Sequence, residues 1–124
     1  MKPLELLKPL KPFHYFACHF PIIVMFGFLF NDKIKNSLRR GAVIIDVRTV
    51  HEYDQGRIRG SVNIPLDRIP VSIERIRNMN KPLVIVCNSG SESSAAVRVL
   101  KSSGIKEVYN GGNWERVLRK INSL

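Results

Sequence analysis

Cysteine and acidic residues are both in short supply in this 124-residue chain, and each scarcity excludes something. The two cysteines, Cys18 and Cys87, form no CxxC pair and join no Cys/His cluster at zinc spacing. That sets aside a disulfide framework and a structural metal site, and no bound metal, nucleotide or haem is expected. Two isolated thiols suit a reducing compartment, so the expected location is the cytoplasm or the cytoplasmic side of a membrane. Acids number 10 against 20 Lys and Arg, for a formal net charge of +10. Such a balance attracts anions non-specifically. The excess is spread out: residues 1–40 hold seven basic side chains against two acids, and 41–124 hold thirteen against eight, so each part carries +5. No Lys/Arg run exceeds two residues and no basic face is interleaved with aromatics, so specific nucleic-acid binding is not expected. Internal repeats and low-complexity tracts are also absent.

What is present suits one compact domain. Hydrophobic content of 44% and charged content of 24% are those of a folded globular chain, and the length allows one α/β domain but not two. The reading divides the chain into a hydrophobic N-terminal segment, 1–30, and a domain, 31–124. Phe13 to Phe30 contains no Asp, Glu, Lys or Arg. As a helix it would span about 27 Å, short of a ~30 Å hydrocarbon core, and it carries His14, His19 and a central Pro21. Three readings stand side by side for this segment. It anchors the domain to a membrane through residues 13–30, with the domain on the cytoplasmic side. It packs on the domain as an extra apolar element. Or the working chain begins at Met25.

Beyond it, strands and helices alternate. Asp32 caps a helix over Lys33 to Arg40, stopped by Gly41. Ala42-Val43-Ile44-Ile45 reads as a strand buried on both faces. Ser61 to Ile64 is a second strand, and Pro70 to Met79 a helix with Ile73 and Ile76 on its apolar face. Leu83-Val84-Ile85-Val86 is the clearest strand and ends at Cys87. Asn88 to Ser91 reads as a turn and Glu92 to Ser103 as a helix with Ala96, Val99 and Leu100 inward. Glu107-Val108-Tyr109 reads as a last strand, Asn110-Gly111-Gly112 as a turn, and Asn113 as the cap of a terminal helix carrying Trp114, Val117, Leu118 and Ile121 on one side. This alternation predicts an α/β domain whose mostly parallel sheet is covered on both faces.

Ligand sites in such sheets lie at the C-terminal strand ends. Cys87 is expected there, followed by a glycine-containing turn and a helix start, where backbone N–H groups converge. That environment stabilises a thiolate, the terminal sulfur of a persulfide or an oxyanion. The plainer alternative is a small buried hydrophobe.

Four segments in order resemble the rhodanese family: Ile44-Ile45-Asp46-Val47-Arg48 with Glu52-Tyr53; Gly56 to Pro65, with Arg57 where His is common; Val84-Ile85-Val86-Cys87-Asn88-Ser89-Gly90; and Val108 to Trp114. The resemblance implies a three-layer rhodanese-like domain and a sulfurtransferase or persulfide carrier. Cys87 would accept sulfane sulfur as a covalent persulfide, with no other cofactor, and pass it to a thiol or protein acceptor. Asn88, Ser89, Gly90, Ser91, Glu92 and Ser93 would form the anion cradle through their backbone N–H groups. Asp46, Arg48 and Arg57 stand as supporting residues: Asp46 as a strand-end acceptor, Arg48 in an ion pair with Glu52, and Arg48, Arg57 and Arg59 as sources of replacement positive charge. Trp114 is expected in the core and His51 on the surface. One residue departs from the family pattern. Where the loop usually carries Arg, this chain has Glu92. At ~6 Å and an effective dielectric of ~20 one unit charge is worth roughly 3 kcal/mol, so the exchange disfavours a dianionic donor such as thiosulfate. Glu92 also suits the N-terminus of its helix. A non-catalytic binding module with the same fold is the competing reading. A cysteine phosphatase is disfavoured, since its arginine position is Ser93.

Overall fold

The structure is a computed structural model and describes residues 32–124. The three readings of the N-terminal segment fall outside the described residues. Among those that are described, no helix is long and apolar enough to cross a membrane. Lys33 to Leu124 form one compact unit.

The elements run α1 (Lys33–Arg39), β1 (Val43–Asp46), α2 (Val50–Gln55), β2 (Val62–Asn63), two 3₁₀ turns (Leu66–Arg68 and Pro70–Ser72), α3 (Ile73–Arg77), β3 (Leu83–Cys87), α4 (Ser91–Ser102), β4 (Val108–Asn113) and α5 (Trp114–Asn122). The four strands make one sheet in the order β2-β1-β3-β4, and every pairing is parallel. The expected α/β fold is therefore present, with an all-parallel sheet.

The period-two side-chain alternation of β1 and β3 assigns one apolar residue to each face in turn. Ile45, Leu83, Ile85 and Cys87 pack with Ile69, Ile76, Ala96, Val97 and Leu100 on the side of α3 and α4. Ile44, Val84 and Val86 pack with Val117, and with Ile34, Leu38, Trp114, Leu118 and Ile121, on the side of α1 and α5. Two helical layers thus enclose the sheet, which explains why its strands read as continuous apolar runs.

Two local expectations are corrected, and one element is added. Asn110-Gly111-Gly112 is not a turn but the bulged middle of β4: Ile85 pairs with Asn110 and Val86 with Gly112, leaving Gly111 as the extra residue. A Cβ on Gly111 would stand 2.8 Å from Val84 Cγ1 and 3.0 Å from the Ile85 carbonyl oxygen, so the glycine is there for close approach to the sheet. The helix expected over Pro70 to Met79 is broken into a 3₁₀ turn and the five-residue α3. A helix that the reading did not place, α2, begins with a full capping box: the Thr49 side chain accepts from Glu52 N–H, and Glu52 accepts from the Thr49 N–H. Thr49-Val50-His51-Glu52 carries that signal in its spacing.

Candidate active site

Strand order reverses between β1 and β3, because β2 lies on one side of β1 and β3 on the other. The crevice at the C-terminal ends of these two strands is the topological switch point of the sheet. The exit of β1 brings Asp46 to Arg48 there, and the exit of β3 brings Cys87.

Asp46 and Arg48 are a buried ion pair. The carboxylate is fully buried and the Arg48 side chain is 4% exposed. Arg48 Nη2 donates to Asp46 Oδ2 at 2.7 Å, Nε donates to Oδ1 at 2.9 Å, and the Arg48 backbone N–H donates to Oδ1 at 3.0 Å. The same guanidinium donates to the Gly56 carbonyl at 2.6 Å and to the Glu52 carbonyl at 3.4 Å, and lies 4.7 Å from the centre of the Trp114 ring. Arg48 therefore fastens the end of β1, the end of α2 and the start of α5 together. The ion-pair partner expected for Arg48, Glu52, is corrected to Asp46, because only two residues along an extended exit bring the carboxylate back under the guanidinium. Asp46 accepts these bonds at the end of β1, and its carboxylate raises the Arg48 pKa further, so the cation is permanent.

Cys87 closes β3 with its side chain fully buried. Its Sγ receives the Gly90 backbone N–H at 2.9 Å and the Ser93 backbone N–H at 3.3 Å, and lies 3.4 Å from Ser93 Oγ. Gly90 makes this wrap feasible: it sits at the N-cap of α4 with φ +98°, a conformation a side chain would resist. The six loop residues contribute differently. Gly90 and Ser93 bring their amides to the sulfur. Asn88 braces the loop from outside, its Nδ2 donating to Glu52 Oε2 at 2.8 Å and its carbonyl accepting from Asn113 Nδ2 at 2.8 Å. Ser89 and Ser91 pair their hydroxyls at 3.0 Å. Glu92 is exposed in the first turn of α4 and lines a cavity of about 340 Å³ with Val47, Thr49, Pro65, Leu66 and Asp67.

Glu52 carries its charge readily. The Thr49 backbone N–H first, then the Thr49 hydroxyl, Arg48 and Asn88, hold its carboxyl below the usual carboxylate range. Arg57 is engaged on the surface, 4.0 Å from Asp54 and 5.0 Å from the centre of the Tyr53 ring. His51 is exposed, with a ring nitrogen 3.1 Å from Gln55 Nε2. Trp114 packs on the α1/α5 side and also borders a second cavity, of about 350 Å³, with Arg48, Glu52, Gln55, Gly56, Asn88 and Glu115.

One functional contact escaped the sequence. Asn110, read as a turn residue, reaches across from β4: its Oδ1 lies 2.7 Å from Ser93 Oγ and its Nδ2 donates to Ser94 Oγ at 2.7 Å. The β3–β4 register, which sets Asn110 opposite Ile85, brings it there, and no local pattern signals that.

A parallel α/β sheet whose switch point holds a cysteine wrapped by the amides of the following loop defines a class built around one thiol. Comparison with known proteins narrows it. The family model "Rhodanese-like domain" matches residues 30–113, and the chain belongs to that family. The chain is 39% identical over 67 residues to the "Putative sulfur carrier protein YrkF" of Bacillus subtilis, covering 54% of this chain and 36% of YrkF. It is 34% identical over 70 residues to the thiosulfate sulfurtransferase GlpE of Stutzerimonas stutzeri, covering 56% of this chain and 63% of GlpE. Both matches leave more than a third of the relative's length unspanned. Among solved structures, a rhodanese with anions from E. coli superposes with a TM-score of 0.56 at 30% identity, covering 61% of this chain and 91% of that one.

Proposed function

We propose that the chain is a rhodanese-like sulfurtransferase or persulfide carrier in which Cys87 takes up sulfane sulfur and hands it to a thiol or protein acceptor. The observation that carries this reading is the convergence of the Gly90 and Ser93 amides on Cys87 Sγ, in a chain whose relatives are named as thiosulfate sulfurtransferases and a sulfur carrier. In the first step the Cys87 thiolate attacks the outer sulfur of the donor, a new S–S bond forms, and the donor's own bond to that sulfur breaks. With thiosulfate the leaving group is sulfite. In the second step an acceptor thiolate attacks the terminal sulfur, forms its own S–S bond and releases Cys87 as thiolate. The sulfane sulfur changes partner in each step, so no outside oxidant or reductant is needed, and the persulfide is the only intermediate. The amides stabilise the anionic sulfur without a cofactor. A reducing compartment such as the cytoplasm keeps Cys87 free for the first step.

Glu92 sets donor preference in this reading. A carboxylate beside the loop disfavours approach of a dianion, so thiosulfate is a poor donor and a neutral or protein-borne persulfide a better one. The test is the intact mass of the full chain after incubation with thiosulfate and, separately, with a low-molecular-weight persulfide. A gain of one sulfur that Cys87→Ser abolishes supports the reading. Uptake only from the second donor, with thiosulfate uptake appearing in Glu92→Arg, assigns the preference to Glu92. No gain from either donor would leave a binding module of the same fold.

A further inference from the structure

Ser93 is the fully buried hydroxyl of the site, and it has more neighbours than one proton can serve. Its Oγ lies 2.7 Å from Asn110 Oδ1, 3.0 Å from the Gly90 carbonyl oxygen and 3.4 Å from Cys87 Sγ. The orientation of the Asn110 amide is settled by its other bonds. Gly112 N–H points at Oδ1 at 3.0 Å, which requires an oxygen there, and Nδ2 donates to Ser94 Oγ. Asn110 therefore offers Ser93 an acceptor only, and so does the Gly90 carbonyl. While Cys87 is a thiol, a consistent arrangement is a chain: the thiol proton points to Ser93 Oγ, and the Ser93 proton points to Asn110 Oδ1.

Loss of the thiol proton breaks that chain. The thiolate would then face the lone pairs of Ser93 Oγ, unless the hydroxyl rotates and donates to the sulfur. Asn110 Oδ1 can release it without becoming unsatisfied, because the Gly112 N–H remains on it. The rotation needs no backbone movement, and a hydroxyl proton is free to turn.

We propose that the Ser93 hydroxyl is a two-position donor, parked on Asn110 while Cys87 is protonated and turned onto the sulfur when it is anionic, with Asn110 as the positioning residue that sets the balance. The device matters for sulfur transfer on the reading of Cys87 given above, but its hydrogen-bond logic concerns the thiol itself. It adds a side-chain donor to the two amides, and it makes that donor available only to the charged form. Charge-assisted hydrogen bonds are about twice as strong as neutral ones, so the thiolate gains more from the hydroxyl than the thiol does. Removing it should shift the thiol–thiolate equilibrium about tenfold toward thiol, a rise of about one pH unit in its midpoint.

The charged groups around Cys87 come from every neighbouring element: Arg48 with Asp46 at the end of β1, Glu52 of α2 through Asn88, Glu92 in the first turn of α4, and Glu115 of α5 in the cavity that Asn88 also borders. They are common to all the variants below, so differences among those variants read the hydroxyl and its holder.

The experiment is a pH titration of the ultraviolet thiolate absorbance of the full chain, taking as signal the part that Cys87→Ser removes. Ser93→Ala should raise the midpoint by about one unit, and Ser93→Thr, which keeps a hydroxyl, should bring it back toward the native value. Asn110→Ala, which removes the nearer of the two competing acceptors at an exposed position, should lower it. An unchanged midpoint in Ser93→Ala, or a rise in Ser93→Thr equal to that in Ser93→Ala, would overturn the proposal. Should Ser93→Ala not fold, Asn110→Ala decides alone, and an unchanged or raised midpoint there overturns it. Persulfide mass gain is recorded on the same samples. Sulfur uptake with no midpoint shift refutes the hydroxyl device and leaves the transfer reading standing; a shift without uptake does the reverse.

Discussion

Replacing Arg48 with Met should remove a large part of the stability of the domain. The methionine keeps most of the apolar stem but no donor. It would leave the Asp46 carboxylate fully buried with only the Arg48 backbone N–H among the bonds that residue 48 now supplies, and it would strip the 2.6 Å donor from the Gly56 carbonyl. Breaking one side of a buried ion pair costs about 3–5 kcal/mol, against a total of about 5–15 kcal/mol for a domain. At about 4–8 °C per kcal/mol for a domain of this size, the melting temperature should fall by about 12 °C or more. Urea denaturation gives the free energy if the m-value is unchanged. The chain's single tryptophan is Trp114, the ring that Arg48 lies against, so its fluorescence reports the same event locally. The double variant Asp46→Asn/Arg48→Met removes the orphaned charge, and it should be more stable than Arg48→Met alone. A loss below about 1 kcal/mol for Arg48→Met, the size of a surface pair, would refute the claim that this pair is a buried clamp. Strict additivity in the double-mutant cycle would refute it as well.

Three further outcomes are expected. Gly111→Ala should cost about 1–3 kcal/mol by urea denaturation, since its Cβ would meet Val84 Cγ1, Val117 Cγ2 and an immovable carbonyl oxygen; a neutral effect would mean that the β4 bulge relaxes freely. Asn113→Ala should cost about 1 kcal/mol, because its side chain accepts from Arg116 N–H at 2.9 Å and so caps α5, with faster amide exchange at Arg116 as the local readout. Glu52 should contribute to acid stability. Its folded pKa lies below the unfolded value, so its contribution is complete above the ordinary carboxylate range and is lost as pH falls through the lowered pKa. The stability gap between the native chain and Glu52→Gln should therefore close at acid pH, and a gap that widens there would contradict the assignment.

The local and periodic parts of this protein were legible before any coordinates. Leu83 to Val86 is the clearest strand in the pattern, and Ala42 to Ile45 reads as one buried on both faces. Gly41 closes α1 at positive φ, where the spacing puts its stop. Asn113 caps α5, and Val117, Leu118 and Ile121 share one face of that helix, as their spacing predicts. Cys87 at a strand end followed by a glycine turn was equally visible, because it depends on residues adjacent in the chain.

Other features needed the tertiary structure. Asn110-Gly111-Gly112 has the composition of a turn, yet the close approach of Val84, Ile85 and Val117 draws it into the sheet as a bulge, and packing of that kind overrides local preference. The partner of Arg48 was misassigned, because both Asp46 and Glu52 lie within reach along the chain and only the burial of the β1 exit decides between them. The link from Cys87 through Ser93 to Asn110 was invisible, since it joins residues 17 apart whose meeting depends on the β3–β4 register. The sequence alone thus determined strands β1 and β3, helices α1, α4 and α5, and where the thiol falls. Those properties arise from spacing along one chain. The tertiary structure decided which polar groups face that thiol, because hydrogen-bond partners across a sheet are set by register and close packing.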